Sequence, residues 1–112
     1  MKKLIVTSLG ALALIASASL LNAASASDNW DNYCAKCHGA DGTGNTKIGH
    51  KLHLKDYTDA KTLADKTDAQ LEQDVLDGVK RGGREVMKAF KGDLTPDEAK
   101  ALVQHIRSFA KK

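Results

Sequence analysis

Cys34-Ala35-Lys36-Cys37-His38 decides how the chain is read. Two thiols lie three positions apart, and an imidazole follows the second directly. On a helix, positions three apart share nearly one face. Sulfurs on one face can each form a thioether to one of the two vinyl groups along a porphyrin edge. His38 then follows where its ring can reach the iron. The stretch supplies two covalent anchors, Cys34 and Cys37, and one axial ligand, His38. Cys-x-x-Cys-His is the attachment signature of a c-type haem.

Three other chemistries use paired cysteines. A thioredoxin-like dithiol needs a βαβ context, and the chain shows no such pattern. A structural disulfide leaves His38 without a purpose. A zinc site needs a second ligand pair at paired spacing, for which His50 and His53 are the candidates. A metal-binding or disulfide module without haem is therefore the reading that a haem site has to displace.

The N-terminus sets the compartment. Lys2 and Lys3 precede an apolar and small-residue run from Leu4 to Leu21, and Ala24-Ser25-Ala26 has the form of a cleavage site. This predicts a signal peptide over residues 1–26 and a mature domain over 27–112. A retained membrane anchor is the competing reading. Thr7, Ser8, Ser17 and Ser19 within the run, and the small residues after it, favour cleavage. The expectation is a soluble protein exported to the periplasm, with no stable membrane insertion after cleavage.

The full chain carries 17 Lys and Arg against 14 Asp and Glu. Without Lys2 and Lys3 the balance is 15 to 14, a net of +1. That is no nucleic-acid-binding balance. Trp30, Tyr33, Tyr57, Phe90 and Phe109 are the only aromatics. A mature chain this short buries little surface for its size. A covalently held haem would supply the missing apolar centre.

Periodicity places three helices. Asp28 is a candidate cap, and Trp30, Tyr33, Cys34 and Cys37 recur at i, i+3, i+4 and i+7 before Gly39. Thr67 with Gln70 forms a capping box ahead of Leu71, Val75, Leu76 and Val79, and Gly78, Gly82 and Gly83 mark the end. Thr95-Pro96-Asp97-Glu98 is a second capping box, followed by Ala99, Leu102, Val103, Ile106 and Phe109 at helical spacing. Residues 39–66 read as loop, with Lys51–Lys55 extended, and residues 80–94 as a second loop. The glycines of Gly39–Gly44 follow no strand, which makes phosphate binding a weak reading; they suit a backbone packed close to a haem.

A haem iron also needs a sixth ligand or an open site. Met1 leaves with the signal peptide, so Met87 is the one thioether of the mature chain. A lone methionine is commonly a core filler. Given a haem, Met87 becomes the expected distal ligand, since a soft thioether favours Fe(II) and raises the potential. His50, His53 and His105 are the competitors. Lys80, Arg81, Arg84, Lys88 and Lys91 stand around Met87 against a single Glu85. Such a run is either a solvated face or a collar that steers acidic redox partners. Arg81 and Arg84 are also candidates for pairing with propionates.

With these residues in place, the chain resembles a class I monohaem c-type cytochrome of the small bacterial kind. The likeness covers essentially all of the mature chain. It rests on Cys34–Gly39 followed by Asp41-Gly42-Thr43-Gly44, and on Met87-Lys88-Ala89-Phe90 ahead of Leu94-Thr95 and the last helix. The resemblance implies an all-α cytochrome c fold of three main helices and loops around one covalently bound haem c. Its first and last helices pack together, bringing Trp30 and Tyr33 to Leu102, Ile106 and Phe109. It implies periplasmic electron shuttling, with no substrate transformed. Two features depart from the family. Lys47-Ile48-Gly49 lacks the proline often found in the loop near the proximal histidine, and Lys88 stands where proline often follows the methionine. The competing function is a haem-based sensor or peroxidase-like protein whose Met87 is displaceable.

Overall fold

The computed structural model describes residues 2–5, 10 and 26–110. Apart from residues 2–5, 10 and Ala26, the predicted leader lies outside them. Residues 26–38 run helically into the cysteine motif, and Asp28 lies inside this run rather than at its cap. Trp30–Cys34 is a π-helical turn, in which the Ala35 N–H donates to the Trp30 carbonyl five residues back. The α-helix α1, Ala35–His38, follows. A widened turn aligns i with i+4 better than with i+3. Trp30 and Cys34 accordingly face the core, at 1% and 8% exposure, while Tyr33, at 38%, lines the cavity beside Cys34 rather than the core.

Gly39 ends α1 with φ 86°. Thr46 then caps a short helix, α2, Lys47–Leu52. Its hydroxyl accepts from the Gly49 N–H at 2.8 Å and donates to the Cys37 carbonyl at 2.6 Å, tying α2 to the cysteine motif. The extended reading of Lys51–Lys55 is thus corrected. Lys51 and Leu52 finish a helix, and His53 reverses the chain in the left-handed region at φ 56°. The apolar alternation marked instead which side chains share the inner side, Leu52 and Leu54. In the Gly39–Gly44 loop, a Cβ on Gly42 would lie 2.7 Å from the Phe109 ring and one on Gly44 would lie 3.1 Å from the Leu54 carbonyl oxygen. The backbone there packs closely against the end of the last helix and against residue 54.

Both predicted capping boxes form. Thr67 and Gln70 open α3, Asp68–Asp77, and Thr95 and Glu98 open α4, Pro96–Ser108. Between them, residues 79–87 are not loop. Strand β1, Val79–Arg81, pairs antiparallel with β2, Arg84–Met87. Gly82 and Gly83 both hold positive φ, as a tight two-residue hairpin turn of this hand requires. Lys80 faces Glu85 and Val79 faces Met87, so Val86 is an extra residue in the ladder, a β-bulge. The all-α expectation therefore holds for the three main helical segments, to which α2 and this hairpin are added.

The core joins the first and last helices. Trp30 meets Ala99, Leu102 and Ile106, and its ring stands 4.9 Å from that of Phe109. Tyr33, expected in the same cluster, instead meets Phe90 edge-on at 5.9 Å. Arg107 ties α4 to the loop before α3. It donates to Asp68 at 2.6 Å and to the Lys66 carbonyl at 2.7 Å. Among the described residues no helix is long and apolar enough to cross a membrane.

Leu102 has no exposed surface, so Leu102→Ala should lower the unfolding free energy by about 3 kcal/mol. Loss of the cap in Thr95→Ala should cost about 1 kcal/mol. Denaturant unfolding measures both. Equal effects would contradict the placement of Leu102 at the centre.

Candidate functional site

Four elements enclose one large cavity of about 640 Å³, within the range of about 300–1,000 Å³ usual for ligand and cofactor sites. Cys34, Cys37 and His38 line it from the first helical segment, and Met87 with Val79 and Val86 from the hairpin. Leu52, Leu54 and Leu71 supply apolar wall, as do Tyr57 and Phe90. The bulge has a direct consequence. In a regular strand Val86 and Met87 would point to opposite faces; here both line the cavity. All four residues expected at a haem are thus brought together around one space.

The expected competitors are not. His50 and His53 are exposed, and neither they nor His105 line the cavity. His50 Nε2 is 2.7 Å from Asn45 Oδ1, and the His105 ring lies against Trp30 and Phe109. No disulfide joins Cys34 and Cys37. Among the described residues no group of three or more His, Cys, Asp or Glu is placed to hold a metal ion. The zinc reading therefore lacks a ligand set, because α2 turns His50 and His53 outward.

Burial governs the electrostatics of the wall. It pushes the Cys34 thiol up to about 12, with Cys37 adding to the effect. It also holds the His38 imidazole below its ordinary value, favouring the neutral ring. The Tyr57 phenol is pushed up to about 12 by burial, then by Asp74 and Cys34. His38 is held between aromatic rings. Tyr57 stacks on it at 5.1 Å and Trp30 tilts against it at 5.8 Å. Trp30 Nε1 donates to the Gly39 carbonyl at 3.1 Å, fixing the end of the motif.

One buried polar side-chain atom among the described residues has no partner, and it is His38 Nδ1. Lys47–Gly49, the stretch that lacks the family's proline, forms the start of α2, where carbonyls are directed along the helix. A buried ring nitrogen without a partner is costly for folding.

The basic run divides. Arg81 and Lys88 stand on the cavity wall, whereas Lys80, Arg84 and Lys91 do not. Lys36, Lys55 and Lys66 join them, against Asp74 as the one acid among the described residues of the wall. These three lie far apart in the sequence, so no charge run announced them. The hairpin is a further departure from the sequence reading, and the Gly82-Gly83 pair is its one signal there.

The family model described as cytochrome c oxidase, cbb3-type, subunit III, matches residues 21–106. The chain belongs to the small monohaem c-type cytochromes. A solved c-type cytochrome, KustC0563, is 34% identical with a TM-score of 0.68, over 77% of this chain and 98% of that one. A tyrosine-to-phenylalanine mutant of the same Kustc0563 is 33% identical with a TM-score of 0.66, over 76% and 98%. No curated protein matches the sequence. The cofactor that this c-type cytochrome family implies is haem c. The donor set and the size of the cavity fit it.

The raised Tyr57 phenol has a measurable consequence. A folded value above the unfolded 10.0 leaves stability intact below pH 10 and removes it as pH climbs from there toward 12. Between about pH 9 and about pH 11, the haem-loaded wild type should lose more stability than Tyr57→Phe. Equal losses in denaturant unfolding would refute this.

Proposed function

We propose that this cytochrome is an exported single-electron carrier with one covalently attached haem c. Cys34 and Cys37 hold the haem by thioethers, His38 is the proximal ligand, and Met87 is the distal ligand. The observation that carries the reading is the shared cavity. Both sulfurs and the imidazole line it from one chain segment, and Met87 lines it from a hairpin far along the sequence. When bound, the haem supplies the one-electron couple. The chain's own residues bind, orient and keep water out. Leu52, Leu54, Leu71 and Phe90 provide the apolar wall that limits solvent access, a lever on potential.

No substrate is transformed in this reading. Beside Met87 the cavity is lined by the apolar Val79 and Val86 and by the cationic Arg81 and Lys88. In the peroxidase-like alternative, or in a sensor, Met87 would leave and a small molecule would bind in its place.

The leader over residues 1–26 directs export, and the domain over 27–112 works in the periplasm. The partners are acidic redox proteins. The charge that steers them is carried by the cavity rim, Lys36, Lys55, Lys66, Arg81 and Lys88, more than by the outer hairpin. Lys88 is part of this rim although it approaches Asp93 at 3.5 Å, since a pair that exposed is weak.

Expression with a haem-attachment system tests the assignment. The product should keep its haem under denaturing extraction and show a low-spin ferric spectrum with the weak far-red band of thioether-ligated iron. Met87→Ala should abolish that band and lower the potential. Loss of haem on extraction would remove the covalent reading, and an unchanged Met87→Ala spectrum would remove Met87. Charge should be tested separately. Oxidation of the reduced protein by the anion ferricyanide should slow as salt rises, and Lys36→Glu should slow it more than Lys80→Glu. A flat salt response would contradict the rim.

A further inference from the structure

We propose that the C-terminal turn of α3 is the seat that positions Met87, with Gly78 as its positioning residue. The inference rests on the axial-ligand reading above. Gly78 ends α3 at φ 78° and ψ −179°, a conformation open essentially to glycine alone. A Cβ at this position would lie 2.6 Å from the Met87 carbonyl oxygen, 2.8 Å from the Ala89 nitrogen and 3.0 Å from the Lys88 carbonyl carbon. All three are backbone atoms. No rotamer change could relieve the contact, so the chain carrying Met87 would have to move.

The same turn holds that chain from its other end. The last carbonyls of a helix have no partner within it. Here Val75 and Leu76 accept from the Phe90 and Lys91 N–H groups, each at 3.1 Å. Ahead of Met87, the ladder pairs it with Val79 beyond the Val86 bulge. Met87 is therefore fixed by strand pairing before it, by the close pass of Gly78 beside it, and by two hydrogen bonds after it. A methionine side chain is unbranched and adaptable, so its reach toward a ligand position depends on where its backbone is held.

Two variants press on the seat by different routes. Gly78→Ala crowds residues 87–89, and Lys91→Pro removes one N–H donor while leaving Gly78 intact. Gly82→Ala is the control. Gly82 also has a positive φ, 55°, on the same hairpin, but a Cβ there meets nothing within 4 Å. Ferric haem-loaded protein is titrated with imidazole while the far-red band is followed. If the seat holds Met87, both seat variants should bind imidazole at least about tenfold more tightly than wild type, because apparent affinity follows the population of the open state. Gly82→Ala should stay within about twofold. Wild-type affinity in Gly78→Ala would overturn the proposal, as would an equal gain in Gly82→Ala. If Gly78→Ala yields no loaded protein, Lys91→Pro decides by the same measure. Amide exchange in the wild type gives an independent reading. Phe90 and Lys91 should be protected relative to Gly82 and Gly83, and equal exchange would sink the seat. A wild type without the far-red band would end the axial-ligand reading instead, and amide exchange would still decide whether the seat exists.

Discussion

The indole of Trp30 is the point where the fold and the site depend on one another. It is buried against Leu102 and Ile106 of α4, so it holds the first and last helices together. The same ring tilts against His38, and its N–H fixes the Gly39 carbonyl at the end of the cysteine motif. The π-helical turn that begins at Trp30 keeps Trp30 and Cys34 in the core and sets Tyr33 at the cavity against Phe90. A regular helix would share the inner face differently. The placement of the sulfurs is thus a result of core packing, and a loss of that packing would misplace the anchors before any ligand bond was lost. Thr46 supports the arrangement from outside by holding the Cys37 carbonyl.

The wall of the cavity favours neutral donors. Burial opposes a thiolate at Cys34 and a protonated ring at His38. A thioether sulfur carries no charge, and an imidazole ligand must be neutral to offer a lone pair. Under the proposed ligation, Met87 would add an uncharged thioether from the hairpin, and the wall would bury no ionised ligand, which would require costly compensation. What charge it does use stands at the rim, where Lys36, Lys55, Lys66, Arg81 and Lys88 outnumber Asp74.

Much of this arrangement is legible from residue types alone. Thr67 with Gln70 and Thr95 with Glu98 mark helix starts because each pair satisfies two otherwise unpaired N–H groups locally. Cys34, Cys37 and His38 are legible because their spacing is itself the chemistry. The misses have a common cause. Lys51–Lys55 alternates in polarity, but the cap at Thr46 is made with Gly49, within reach of a helix and not of a strand. The hairpin at residues 79–87 is too short to show a periodic pattern, and only its Gly82-Gly83 turn betrays it. A stripe with 3.6 residues per turn puts Tyr33 with Trp30 against the last helix; one π-helical turn breaks that count and leaves Tyr33 at the cavity against Phe90. The basic rim was hidden for a different reason. Lys36, Lys55 and Lys66 meet only once the chain has folded around the cavity.

The hairpin turns an apparent weakness of the sequence into a structural question. Proline after a residue restricts that residue's backbone, and Lys88 provides no such restraint on Met87. The bulge at Val86 and the glycine at the end of α3 supply restraint by other means, since both act on backbone position and neither depends on the residue after the methionine. The consequence lies in how Met87 can be lost. A proline-stiffened loop resists locally, whereas here the hold on Met87 is shared with the last turn of α3. Val75 in that turn is buried in the same core cluster as Trp30 and Leu102. The sulfur that faces the cavity from the hairpin is therefore coupled, through α3, to the packing that places the two cysteines opposite it.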